Sequence, residues 1–155
     1  MIERQVTDLV QITDLKINVD DRGILSELVR SDWEKVGVPI KQIYLVANTT
    51  RAVRAFHKHK ELVDFFIIVN GTAKFVFFKK TVENTLIQVV NVTSMRLQMI
   101  TVPTGVFHGW KADAGTILIS AANNLYMGEN RKDPVDEERI PWDTLGTDVW
   151  EVHNK

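Results

Sequence analysis

Two short segments of this chain carry side chains that could do chemistry together. The first is His57-Lys58-His59, with four residues before Asp64 and six more before Gly71; the second is Pro103-Thr104-Gly105-Val106-Phe107-His108. Side chains two apart on an extended strand point to the same face, so His57 and His59 are expected side by side. The four-residue gap lets the chain turn and start a new strand at Asp64. The Pro-x-Gly turn then delivers a third imidazole, His108, at the start of another strand. An imidazole, with an unperturbed pKa of about 6.5, can both take and return a proton near neutrality. Three imidazoles and a carboxylate are equally a good ligand set for Fe(II), Mn(II), Ni(II) or Zn(II). A lone His-x-His beside Lys58, Lys60 and Glu61 reads as a solvated strand edge; the matching spacings of the second segment turn the balance toward a site.

Strands must hold these residues, and the chain reads as β. Runs rich in Val, Ile, Phe and Thr recur at Val6–Val19, Ile40–Ala47, Val53–His59, Asp64–Val69, Thr72–Lys79, Leu86–Val92, Arg96–Val102, Val106–Ala112 and Thr116–Ala121. Asn70-Gly71 predicts a tight hairpin and Asp113-Ala114-Gly115 a turn. One helix is expected around Leu25–Val36. Many short strands at regular spacing predict an all-β, double-sheet jelly roll over residues 1–155. Residues 128–138 and Ile140-Pro141-Trp142-Asp143 then form a surface-wrapping tail. In such a barrel, inward-pointing His57, His59, Asp64 and His108 are not filler. Each polar group buried without a partner costs roughly 1–3 kcal/mol.

Composition bounds the function. The 155 residues are 45% hydrophobic and 25% charged, those of an ordinary globular protein. A net charge of −1 gives no electrostatic reason to expect nucleic acid or an acidic membrane as partner. With no cysteine, disulfides, Cys-type zinc sites and thiol catalysis are excluded. No signal peptide or membrane span is expected, and the cytoplasm is the default.

The paired segments resemble the two signature motifs of the cupin superfamily, whose fold is the double-stranded β-helix jelly roll. Asp64 replaces the usual Glu, and Ala112 sits where an Asn is often found. A second resemblance covers about residues 20 to 145. Asp20-Asp21-Arg22-Gly23-Ile24-Leu25-Ser26-Glu27, Val53-Arg54-Ala55-Phe56-His57, Val102-Pro103-Thr104-Gly105-Val106-Phe107-His108-Gly109-Trp110 and Ile140-Pro141-Trp142-Asp143 are similar, in that order, to the motifs of the dTDP-4-dehydrorhamnose 3,5-epimerase family. The resemblance implies an epimerase or isomerase acting on a nucleotide-linked 4-keto-6-deoxy sugar, by proton abstraction α to the ketone. It also implies a homodimer with strands exchanged between subunits and no cofactor. By the same carry-over His57 is the base, Arg22 and Glu27 contact the nucleotide, and Arg54 contacts the diphosphate.

Departures from that pattern matter too. Asp64 stands where those epimerases carry a Lys, and Ser120 or Ala121 where they carry a catalytic Tyr. Their His-pairing carboxylate lies downstream of Trp-Asp, and this chain is expected to lack it; Asp64 is then the candidate partner of His57. Ile40-Lys41-Gln42-Ile43-Tyr44 followed by His57-Lys58-His59 is similar to the dTDP-sugar 3,4-ketoisomerases, which use a His-x-His pair near a Tyr. The candidate catalytic residues are therefore His57, His59 and Asp64. The candidate substrate contacts are Arg22, Glu27, Tyr44, Arg54, His108, Trp110 and Tyr126. Phe65, Phe75, Phe77, Trp142 and Trp150 read as core or interface, and His153 as solvated. Two alternatives stand beside the enzyme: a cupin holding a divalent transition metal through His57, His59, Asp64 and His108, and a sugar-binding cupin without catalysis.

Overall fold

Continuous apolar runs, not alternating ones, mark the central strands, because both faces of each are covered. The computed structural model describes residues 8–152. Twelve strands follow in order among them: β1 (Gln11–Asp14), β2 (Asn18–Asp20), β3 (Gly23–Leu25), β4 (Gln42–Ala47), β5 (Ala52–Lys58), β6 (Asp64–Asn70), β7 (Thr72–Lys80), β8 (Thr85–Thr93), β9 (Gln98–Val102), β10 (Phe107–Ala112), β11 (Ile117–Ala122) and β12 (Glu138–Arg139). They form two five-stranded antiparallel sheets, ordered β1-β9-β6-β11-β4 and β12-β5-β10-β7-β8, and a separate β2–β3 hairpin. This is the expected all-β jelly roll.

Three apolar clusters tie the layers together. Between the sheets, Phe66 and Ile68 of β6 meet Phe75 and Phe77 of β7, with Ile100 and Val102. The intervening residues of β6, Phe65 and Ile67, face outward under Leu15, Val36 and Met99, with Leu28, Val29 and Trp33 packed alongside. On the other sheet, Phe56, Val76, Phe78 and Phe107 are covered by Val149 and Trp150. Burying a large apolar side chain stabilises by roughly 1.5–3 kcal/mol, so these three contacts account for the uninterrupted Phe-Phe-Ile-Ile of β6 and Phe-Val-Phe-Phe of β7. Phe65, Phe75, Phe77 and Trp150 are thus core, whereas Trp142 is 45% exposed. His153 lies outside the described residues.

Three expectations are corrected. The segment over Leu25–Val36 is not a helix: it makes single turns, such as Val36 N–H to the Trp33 carbonyl at 2.9 Å. Its apolar residues follow helical spacing, but they lie flat as a cover on the outer face of a sheet. Asn70-Gly71 is a corner, not a hairpin, because β6 pairs with β9 and β11 while β7 pairs with β8 and β10. Gly71 has φ +84° there, and a Cβ would lie 2.7 Å from Thr116 Oγ1, so the corner excludes other residues. The single strand read over Val6–Val19 is two, β1 and β2, with the buried Leu15 between them; its residues before position 8 lie outside the described ones.

Candidate active site

A cavity of about 340 Å³ opens between the two sheets, lined by both histidine segments. From β5 and the residue after it come Arg54, His57 and His59; from β6, Asp64; from β10, His108 and Trp110; from β4 on the facing sheet, Gln42 and Tyr44. Arg54 and His57 are an odd number of residues apart, yet both face inward. The β10–β5 register explains this: His108 opposes His57 and Trp110 opposes Arg54, so two residues of β5 stand against Gly109. A Cβ on Gly109 would fall 2.2 Å from the Ala55 Cβ, so this bulge depends on glycine. The two motif loops are joined where Gly105 N–H donates to the His59 carbonyl at 2.8 Å.

His57 sits at the cavity rim, its side chain 27% exposed, and its Nδ1–H donates to Glu137 Oε1 at 2.5 Å. A carboxylate only accepts, so in neutral His57 the lone pair lies on Nε2. Glu137 also accepts from the Tyr126 hydroxyl at 2.9 Å and from Arg139. Burial works to raise the Glu137 pKa, but the bonds from His57, Arg139 and Tyr126 outweigh it and hold the carboxyl below its usual range. The tail delivers Glu137 through β12, where Arg139 opposes His57 and Glu138 opposes Lys58. The Asp136 carboxylate anchors the same segment, accepting from the backbone N–H groups of Lys60, Glu61 and Leu62 at 2.9, 2.8 and 3.1 Å.

A second cluster lies deeper. His59 Nε2 and His108 Nε2 stand 3.3 and 3.5 Å from the same oxygen, Asp64 Oδ2, and all three side chains are less than 10% exposed. His59 Nδ1 donates to the Asp136 carbonyl and His108 Nδ1 to the Val106 carbonyl, the latter at 3.1 Å. Burial depresses the His108 pKa to about 4. Burial pulls the same way on His59, but the Asp64 carboxylate and the Asp136 carbonyl outweigh it, and its pKa is raised. Across the cavity, burial and the charges of Asp64 and Glu137 push the Tyr44 phenol up to about 12. Arg54 lies over the Trp110 ring, 5.6 Å from its centroid, and donates to Asn48 Oδ1 at 3.3 Å.

His57, His59, Asp64, His108, Tyr44, Arg54, Trp110 and Tyr126 are therefore brought together as read from the sequence. Four readings change. Asp64 is not the partner of His57, because it opens a strand of the opposite sheet and its oxygen meets His59 and His108. The missing carboxylate is present: Glu137 supplies it from upstream of Trp142-Asp143, in a segment read as mere surface wrapping. His57 is committed to Glu137 and stands outside the three-residue cluster of possible metal ligands, which is His59, Asp64 and His108. Arg22 and Glu27 do not line the cavity of their own chain. Arg22 tips the β2–β3 hairpin, its side chain 85% exposed and paired with Asp20, and Glu27 pairs with Arg30 at 2.8 Å.

The fold is the double-sheet jelly roll found in solved dTDP-4-dehydrorhamnose 3,5-epimerases. Residues 18–133 match the family described as "Polysaccharide biosynthesis C-terminal domain", and the chain belongs to that family. It is 33% identical over 140 residues to the "Probable low-salt glycan biosynthesis epimerase" of Haloferax volcanii, covering 86% of this chain and 87% of that one. Among solved structures, a dTDP-4-dehydrorhamnose 3,5-epimerase of Bacillus anthracis with TDP and pyrophosphate bound superposes with TM-score 0.76 at 16% identity, over 99% and 91% of the two chains. A dTDP sugar isomerase of Desulfovibrio desulfuricans gives TM-score 0.73 at 17% identity, over 89% and 87%. No helix among the described residues is long and apolar enough to cross a membrane.

Proposed function

We propose that this cupin is an epimerase or isomerase of a nucleotide-linked 4-keto-6-deoxy sugar, working by proton abstraction α to the ketone in the making of deoxysugars for polysaccharides. The observation that carries the reading is the His57–Glu137 pair, with Glu137 fixing the ring so that Nε2 meets a substrate in the cavity. Nε2 takes the α proton, the C–H electrons move into the carbon–carbon bond, and the carbonyl oxygen becomes an enolate. Return of a proton to the other face inverts the centre; return at the neighbouring carbon, with the hydroxyl proton moved, shifts the ketone. Tyr44 lines the cavity from the sheet facing His57, and a phenol is protonated at neutral pH, so it is placed to be the acid for the far face. The oxidation state of the sugar is unchanged, so no redox cofactor is called for.

Arg54 suits the diphosphate, since its planar fork gives paired hydrogen bonds, and Trp110 beneath it offers a stacking surface. The protein acts as a homodimer in the cytoplasm. A two-stranded hairpin is marginal alone, and β2–β3 exposes Val19, Ile24 and Leu25 at 73%, 68% and 64%. A partner subunit covering that hairpin would bring Arg22 and Glu27 against a nucleotide in its own cavity. The decisive experiment incubates the protein with a 4-keto-6-deoxy sugar nucleotide in deuterium oxide. Wild type is expected to incorporate deuterium and His57→Asn is not; exchange at the wild-type rate in the variant overturns the assignment.

A further inference from the structure

The buried cluster beneath His57 is not used by that chemistry, and its hydrogen bonding is unbalanced. Both rings spend their Nδ1–H on backbone carbonyls, of Asp136 and Val106. In neutral rings both Nε2 atoms then carry lone pairs, and both point at one carboxylate oxygen, at 3.3 and 3.5 Å. Three electron-pair donors facing one another repel unless something positive lies between them. One proton on His59 answers one contact and leaves the His108 lone pair against the same oxygen. A metal cation answers all three.

We propose that His59, Asp64 and His108 bind one divalent transition metal ion at the floor of the cavity. The donor atoms lie within 4.8 Å of one another. The two distances to Asp64 Oδ2 are close to the roughly 3.3 Å that separates neighbouring ligands around a tetrahedral ion with bonds of about 2.0–2.1 Å. The outer contacts fit as well, because histidine ligands ordinarily donate their second ring N–H to a carbonyl or carboxylate, and both do so here. Two imidazoles and one carboxylate favour Fe(II), Mn(II), Co(II) or Zn(II) over Mg(II) or Ca(II), which prefer all-oxygen sites. Three protein ligands also leave coordination positions open toward the cavity.

The charge around the reacting carbon points the same way, an argument that rests on the epimerase or isomerase reading. Among the described residues lining the cavity, the carboxylates are Asp64 and Glu137, and Arg54 is the lone Lys or Arg. A developing enolate would stand beside two negative groups. A bound divalent ion would supply Lewis-acid stabilisation of that oxygen from the floor of the cavity, where His59, Asp64 and His108 converge. The chain's own part is to hold the ion from below while Glu137 keeps His57 oriented above it.

The test is a titration of untagged, chelator-treated full-length protein with Co(II), read by its visible absorption bands and by calorimetry. One equivalent per chain should bind with micromolar or tighter affinity. Asp64→Asn and His108→Asn should each weaken binding at least 100-fold, while His57→Asn stays within about threefold of wild type. Absence of a saturable band in the wild type overturns the proposal even where the buried variants fail to fold. Asp64→Asn binding as wild type does also overturns it. Deuterium exchange on the same samples keeps the two readings apart. Exchange without cobalt binding removes the metal and keeps the base. Cobalt binding without exchange keeps the metal and removes the base.

Discussion

His57 and His59 lie two residues apart on one extended segment, yet one ring has an open nitrogen and the other has both engaged. His57, at the rim, spends Nδ1 on Glu137 and keeps Nε2 for the cavity. His59, at the floor, spends Nδ1 on the Asp136 carbonyl and turns Nε2 to Asp64. The difference comes from what approaches each ring. The tail segment that supplies a side-chain carboxylate to the first offers only a backbone oxygen to the second, while strand β6 brings Asp64 up from the other sheet. A ring with an open nitrogen can turn protons over; a ring held at both ends keeps a charge in place. Sequence identity alone would have given the two the same role.

The largest effect should come from the rim. His57→Asn is expected to lower α-proton exchange about 10³-fold or more while changing stability by less than about 1 kcal/mol, as chemical denaturation would show. The floor should answer the other way. Asp64→Ala removes the one anion between two buried rings and is expected to cost about 3 kcal/mol in the chelated protein, read from urea midpoints. Equal loss of stability from both substitutions would erase the contrast. Tyr44→Phe should slow conversion to the final sugar by about 10–100-fold yet leave exchange at the first carbon within a few-fold, separating the proton taken from the proton returned. The smallest effect is expected from Asp136→Asn, which weakens the tail's hold on the 60–62 amides. It should lower exchange about tenfold through displacement of Glu137. Recovery by Asp136→Glu would mark it as a positioning carboxylate.

How far the sequence revealed this varies with the signal each part carries. The jelly roll, the cavity and eight of its residues were legible because apolar runs bounded by turn residues and the spacing of the histidine motifs extend over whole strands. The resemblance to known motifs carried Arg54 and Tyr126. Glu137 was not, since a two-residue strand has no periodicity and Asp136-Glu137-Glu138 looks like any solvated acidic stretch. Its signal was the acidic triple followed by Arg139, beside a base that needed an acceptor. Leu28, Val29, Trp33 and Val36 follow a helical spacing but cover a sheet, so tertiary packing overrode the local pattern. Asn70-Gly71 carried the right turn chemistry, and only the pairing of β6 and β7 with other strands told a corner from a hairpin.

The bulge at Ala55-Phe56 has a consequence for substrate choice. It fixes the Arg54 guanidinium and the His57 imidazole on one strand, three residues apart, with Gly109 closing the backbone behind them. The bulged stretch spans only the two-residue step from His108 to Trp110 on β10, so at about 3.3 Å per residue it is a gauge roughly 7 Å long between its two marks. A ligand that places its diphosphate at Arg54 must present its acidic carbon at that distance to meet His57. A sugar monophosphate reaches one mark or the other but not both, so such compounds should act as weak competitors and never as substrates. Selection by length in this way requires no contact with the sugar's own hydroxyl pattern.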